Sequence, residues 1–390
     1  MQWLLPQGIE DLLPPQAGAL EQLRRQLLDL FARWGYQLVI PPLVEYADAL
    51  LTGVGGDLHS QTFKVNDPLT GGALAIRADM TPQAARIDAR YGRADAPSRL
   101  CYLGGTLNVT PATLDASRNP LQVGAELFGH AGPESDIEIV RLMLDMLALV
   151  GISDVHVDLG HVGIFRALAG HAGLDDDTER QLFDLLQSKA RPDIREFLAG
   201  LDLAPGQRER FALLADLHGD ISVLAQARER LAGAETSVVR ALDELEAIAL
   251  GLRSFCPDQP LFFDLSELRG YDYHTGLVFA AYAPIQGQAV AWGGRYDGIG
   301  RVFGSERPAT GFSADLKKLA AGYAGQAPAA NPVLAPWDAD PGLQARVREL
   351  RGQGREVSYQ LPGSPLPAQS CARLTRDDAG HWQLQEAQDD

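Results

Sequence analysis

Residues 118–129 read Arg118-Asn119-Pro120-Leu121-Gln122-Val123-Gly124-Ala125-Glu126-Leu127-Phe128-Gly129. After Pro120, the apolar Leu121, Val123, Ala125 and Leu127 alternate with Gln122, Gly124, Glu126 and Phe128, a period of two that predicts a strand over 121–128. Such a strand projects Gln122 and Glu126 from one face, roughly 13 Å apart. An amide and a carboxylate on one face suit a polar ligand, and they suit a face turned to water equally well.

Two further segments carry candidate chemistry. Ile76-Arg77-Ala78-Asp79-Met80-Thr81-Pro82 ends a strand in charged and polar groups before a helix. Read locally, Arg77 and Asp79 form a surface ion pair and Thr81 caps the helix, with Pro82 at its first position. Leu268-Arg269-Gly270-Tyr271-Asp272-Tyr273-His274-Thr275-Gly276 leads through a strand to Gly293-Gly294-Arg295-Tyr296-Asp297-Gly298. Arg269 offers a planar fork suited to a carboxylate or phosphate, and Tyr273 and His274 add aromatic and hydrogen-bonding groups. The segment also reads as a polar hairpin with glycine turns, and it lacks the spacing of a dinucleotide-binding loop.

The flanking chain alternates helix and strand. Leu20, Leu23, Leu27, Leu30, Phe31 and Trp34 share one stripe of a helix over 16–34. Tyr36 to Ile40 reads as a strand stopped by Pro41-Pro42. Strands are predicted at 74–76, 100–103, 155–159, 261–265, 276–282 and 289–292, and helices at 81–90, 137–150 (capped by Asp136) and 314–323. From about 170 to 252 only helical spacing appears, an all-helical insertion in a β-rich fold. Seven of the 24 prolines fall between Pro328 and Pro367, marking a linker and a loosely built tail.

The 390 residues suffice for two or three domains. With 34 Lys plus Arg against 51 Asp plus Glu, the net charge of -17 disfavours sequence-independent nucleic-acid binding. Cys101, Cys256 and Cys371 form no paired or metal-ligating pattern. The start MQWLLPQGIEDLLPP does not read as a secretory signal, and no run approaches the roughly 18 apolar residues of a membrane span. The expected compartment is the cytoplasm.

Taken in order, the segments resemble the catalytic core of histidine-tRNA ligase, a class II aminoacyl-tRNA synthetase, from about Pro6 to Tyr323. Gly8 to Pro14 looks like that family's G-x-x-D-x-L-P opening, and Gly35 to Pro42 like its first motif at the dimer interface. Arg77 to Thr81 is similar to L-R-P-E-G-T and Gln122 to Gly129 to H-Q-L-G-x-E-x-F-G. Arg269 to Phe279 is similar to R-G-L-D-Y-Y-x-x-x-x-F, and Gly293 to Gly298 to G-G-R-Y-D-G.

The resemblance implies an α+β fold, a class II aminoacyl-tRNA synthetase-like antiparallel sheet flanked by helices. Residues 1–323 would form this core, with the helical insertion at about 170–252. Residues 324–390 would be a Pro-rich linker and a small C-terminal module. It also implies a histidine site: Arg269 on the α-carboxylate, Asp79, Thr81 and Gln122 around the α-amino group, and Glu126 facing the imidazole with Tyr273 and His274. Asp79 stands where the synthetase has glutamate, and His274 where it has the second of two tyrosines.

Two departures bear on activity. An ungapped count from Tyr102 puts Asn108 at the second-motif arginine that binds the ATP α-phosphate, and no Arg or Lys occurs from Thr106 to Ser117. Lys318 stands where the third motif has arginine. Losing one transition-state donor of this kind costs roughly 100- to 1,000-fold in rate. The tail is also too short for an anticodon-binding domain.

This pattern is similar to the HisZ family, the regulatory subunits of ATP phosphoribosyltransferase. That resemblance implies a non-catalytic regulatory subunit, needed for the first step of histidine biosynthesis and for feedback inhibition by histidine. Implied with it are no catalytic residue, cofactor or metal, and no tRNA or membrane partner. The implied partner is a short-form catalytic subunit in a hetero-octamer of four plus four, with the chain itself dimeric and free histidine as effector. The alternative is a shortened histidine-activating ligase acting on a non-tRNA acceptor.

Overall fold

The computed structural model describes residues 3–52, 56–93, 95–111, 117–268, 270–271, 273–284, 287–304, 306–321, 332–365 and 371–386. Arg269 lies outside the described residues, as do residues 324–331 of the expected linker and C-terminal module.

The apolar stripe near the start forms the helix Gln16–Arg33, which buries Leu23, Leu27, Leu30 and Phe31. Phe31 meets Phe312 of the sheet edge-on at 6.2 Å. Among the described residues the sheet has nine strands, in the order Gln37–Leu38, Ser98–Gly105, Leu121–Phe128, Ala309–Asp315, Ala289–Arg295, Leu277–Tyr282, His156–His161, Leu261–Asp264 and His218–Gly219. Six of its eight pairings are antiparallel, and the two parallel ones lie toward its edges. The helix Pro133–Leu149 packs against it through Ile139, Val140, Leu142, Met143, Met146 and Leu147, all fully buried. This is the expected α+β architecture, an antiparallel sheet flanked by helices.

Several local expectations are corrected. The strand expected at 36–40 narrows to Gln37–Leu38, since Pro41 follows closely and Ile40 is exposed. Ala314 belongs to the strand Ala309–Asp315, and the helix that follows it is Leu316–Ala321. Asp136 does not cap its helix, which begins at Pro133; its carboxylate instead pairs with Arg295 at 2.8 Å. Helices run from Val162 to Phe255, but the short strand His218–Gly219 interrupts them and joins the sheet edge.

The chain divides into two units, Met1–Ala324 and Gly325–Asp390. In the second, strands Val357–Gln360, Val333–Pro336, Ala372–Arg376 and Trp382–Gln385 form one sheet in that order. The helix Pro341–Gly352 lays Leu343, Val347 and Leu350 against Val333, Ala335, Val357, Ala372 and Leu374. Its cap is Asp340, which accepts from the Leu343 N–H at 2.9 Å and from Trp382 Nε1 at 2.8 Å. The tail expected to be loosely built is therefore a packed module with its own small core.

Candidate functional site

The strands Ser98–Gly105, Leu121–Phe128 and Ala309–Asp315 lie side by side in the sheet, and Gln122, Ser313 and Asp315 from the last two line a cavity of about 380 Å³. Asp79, Thr81, Gln122 and Tyr273 line it. Gln122 and Glu126 do share a strand face, and that face is turned inward: Gln122 is 8% exposed and Glu126 1%. The solvent-facing reading of this strand is excluded.

At the start of the helix Thr81–Tyr91, the local reading of Thr81 as a cap fails. Asp79 performs that task, its Oδ1 accepting from the Thr81 N–H at 2.9 Å. The same oxygen accepts from Gln122 Nε2 at 2.8 Å, while Gln122 Oε1 accepts from the Met80 N–H at 2.8 Å. Thr81 Oγ1 is thereby released to donate to Glu126 Oε1 at 2.9 Å. Arg77 does not pair with Asp79. It is buried and donates to the carbonyls of Gly105 and Pro41, both at 2.8 Å, tying the first segment to the neighbouring chain.

Behind Thr81 the Glu126 carboxyl is enclosed by three hydroxyls. Oε1 also accepts from Tyr102 at 2.9 Å, and Oε2 accepts from Tyr296. Burial pushes this carboxyl up to about 8, against the pull of the three hydroxyl bonds, and the nearby Asp79 charge adds to the rise. Gly311 lies directly across the strands from Glu126, and a Cβ there would fall 1.5 Å from Glu126 Oε2. Glycine at 311 is therefore a requirement of space.

Arg295 contributes indirectly. Its guanidinium is buried and holds Asp136, Ser135 and the carbonyls of His130 and Gly132, which fixes the strand end that presents Tyr296. Of the remaining expected residues, Tyr273 is 37% exposed, whereas His274 is 4% exposed and packs against it with ring centres 4.2 Å apart. His274 does not line the main cavity; it borders a smaller one of about 50 Å³ with Glu267 and Trp292. The structure thus brings Asp79, Thr81, Gln122, Glu126 and Tyr273 together, sets His274 one layer back, and describes nothing of Arg269.

Asn108 and Lys318, the two departures from the synthetase motifs, both line the cavity. Sequence reasoning missed Tyr102 and Tyr296, which complete the Glu126 enclosure, and also Arg180 and Phe183, which the helical insertion places on the cavity wall. Tyr296 was signalled within its glycine-flanked motif. Tyr102 carried no local signal, because its role depends on Gly124 lying opposite it in register.

Residues 8–319 match the family model for histidyl-tRNA synthetase, and residues 330–385 match the model for the ATP phosphoribosyltransferase subunit HisZ C-terminal domain. The ATP phosphoribosyltransferase regulatory subunit of Thioalkalivibrio sulfidiphilus (strain HL-EbGR7) is 55% identical over 385 residues, covering 97% of each chain. That of Alkalilimnicola ehrlichii is 53% identical, covering 97% of this chain and 96% of its own. Among solved structures, an ATP phosphoribosyltransferase regulatory subunit/histidyl-tRNA synthetase from Bacillus halodurans C has a TM-score of 0.81 at 26% identity, over 94% of this chain and 95% of that one. A synthetase-like core, a HisZ-type C-terminal module and near full-length identity above one half converge: the chain belongs to the family of ATP phosphoribosyltransferase regulatory subunits.

Proposed function

We propose that the chain binds free histidine in this cavity and, in the cytoplasm, passes that signal to a short-form ATP phosphoribosyltransferase catalytic subunit. The observation that carries the reading is the pair of carboxyl groups at two depths. Asp79 is aimed by Gln122 and the Thr81 N–H at the cavity, where an α-amino group needs an acceptor. Glu126 lies behind Thr81, bound to its hydroxyl, and would act on the imidazole side of the ligand through that network. Arg269 would complete the site by pairing with the α-carboxylate, and His274 would brace Tyr273 against the imidazole.

The chain's own chemistry argues for sensing over catalysis. Asn108 puts a neutral amide where adenylate formation requires a guanidinium, and an amide does not offset phosphate charge. The alternative of a histidine-activating ligase is not favoured, since the close relatives carry the regulatory-subunit name. Histidine-dependent exchange of pyrophosphate into ATP by the purified chain would revive it.

Feedback then follows from population shift: histidine binds the inhibited arrangement of the complex more tightly than the active one, with a coupling of about 1–3 kcal/mol. A dimer of this chain within a four-plus-four assembly is the arrangement we expect. The test is co-expression with a short-form transferase, assayed with and without histidine, together with calorimetry on the free chain. Asp79→Ala is expected to weaken histidine by about tenfold or more, the scale of a lost charged hydrogen bond, while the complex still assembles. Unchanged affinity in that variant would place the ligand elsewhere.

A further inference from the structure

The turn that carries Tyr273 is anchored from outside the sheet. Gly270 opens it at a φ of +70°, and a Cβ there would lie 2.6 Å from His274 Nδ1, so the turn is built around glycine. Tyr271 leaves this turn toward the helical insertion. Its ring stands edge-on to Phe165 at 5.4 Å and tilted against Phe183 at 5.5 Å, with the Arg166 guanidinium 4.7 Å from its centre. Arg166 Nη2 also donates to the Tyr271 carbonyl at 2.8 Å, and the Tyr271 hydroxyl donates to Glu179. Burial, and then the Glu179 carboxylate, keep this phenol protonated so that it can go on donating.

These partners sit on two helices, Val162–Ala172 leading into the insertion and Asp176–Gln187 within it. The second helix also puts Arg180 and Phe183 on the cavity wall beside Tyr271, while Leu182 and Leu186 are fully buried in the main core. One rigid element therefore grips the ligand turn, lines the cavity and is fixed in the insertion.

We propose that Tyr271 and the helix Asp176–Gln187 position the turn that bears Tyr273, so that ligand binding in the cavity and the packing of the insertion form one coupled equilibrium. The inference rests on the histidine reading of the cavity and adds the route by which occupancy reaches the insertion. Tyr271 is a positioning residue: shifting its ring shifts Tyr273 two residues on. Because coupling is reciprocal, loosening the grip must weaken the ligand, and the ligand must tighten the grip.

The test uses the full chain, histidine titration by calorimetry, and hydrogen exchange of peptides covering residues 176–187. Tyr271→Phe and Glu179→Ala are each expected to weaken histidine about 3- to 10-fold. The double variant should lose no more than the larger single loss, because both changes remove the same hydrogen bond. Histidine should slow exchange in the helix of the wild-type chain, and do so less in Tyr271→Phe, a ligand-dependent change that a merely structural tyrosine would not produce. If the wild type binds histidine while both variants bind it equally well, or if helix exchange ignores histidine, the inference falls alone. A wild-type chain that binds no histidine overturns the functional reading and this inference together.

Discussion

Gly311→Ala is expected to remove measurable histidine binding, a loss of at least about 100-fold, and to lower stability by about 3–5 kcal/mol. The added Cβ would lie 1.5 Å from Glu126 Oε2 and 2.8 Å from the Ala125 carbonyl oxygen. A side-chain tip usually yields to such a clash, but this one is held at both oxygens by Thr81, Tyr102 and Tyr296. Pushing it aside strands buried hydroxyls at about 1–3 kcal/mol each, and overpacking adds a similar amount. The Ala125 carbonyl belongs to the neighbouring central strand, so backbone retreat would open the ladder between Leu121–Phe128 and Ala309–Asp315. Scanning calorimetry should show the midpoint falling on the order of 10 °C. Gly206→Ala is the control: it meets nothing within 4 Å, sits in the helix Pro205–Leu214, and should leave both quantities unchanged or improve stability slightly. If Gly311→Ala kept the wild-type midpoint and affinity, the close-packed enclosure of Glu126 would be wrong.

The strand face bearing Gln122 and Glu126 was legible because its period of two survives in the amino-acid order alone. The helix Gln16–Arg33 was legible for the same reason, through its period near 3.6. What local pattern misassigned was the destination of side chains. Thr81, Asp136 and Arg77 each have an ordinary local use, as cap, cap and surface ion pair. In the fold each is claimed by a partner far along the chain: Thr81 by Glu126 at a separation of 45 residues, Asp136 by Arg295 at 159, and Arg77 by the Pro41 carbonyl at 36. A buried tertiary partner outweighs a solvent-exposed capping bond, because leaving the partner unsatisfied costs more than leaving a helix end to water. The strand Ala309–Asp315 escaped notice because the small Ala309, Gly311, Ser313 and Ala314 fill most of it, so neither of its faces reads as a strand in the amino-acid order. The tail misled through composition: two of its described prolines, Pro336 and Pro341, lie at element ends, where they are compatible with a packed core.

Stability is expected to fall as pH rises from about 4.5 toward about 8, and Glu126→Gln is expected to lose most of that fall. Burial raises the Glu126 carboxyl from its ordinary 4.5 to about 8. Between those values the native chain holds a proton that the unfolded chain has released. Stability therefore declines with pH across the window and levels off above it. The contribution is present in full below about 4.5 and is gone once the pH exceeds about 8. A shift of this size corresponds to a few kcal/mol, on the order of 1.4 per pH unit. Glutamine tests the sign cleanly, because its amide resembles the protonated acid in shape and neutrality, and hydroxyls can donate to its oxygen or accept from its nitrogen. Asp158, also pushed up by burial, to about 6, gives a slope of the same sign at lower pH, so the Glu126 contribution is read from the difference between wild type and variant. Urea unfolding between pH 5 and 9 should show the wild type losing stability relative to Glu126→Gln up to about pH 8, the two curves running parallel beyond it. A difference that stayed constant with pH would mean that Glu126 is already ionised in its enclosure. The three hydroxyls would then outweigh burial, and the deep end of the cavity would be anionic before any ligand arrives.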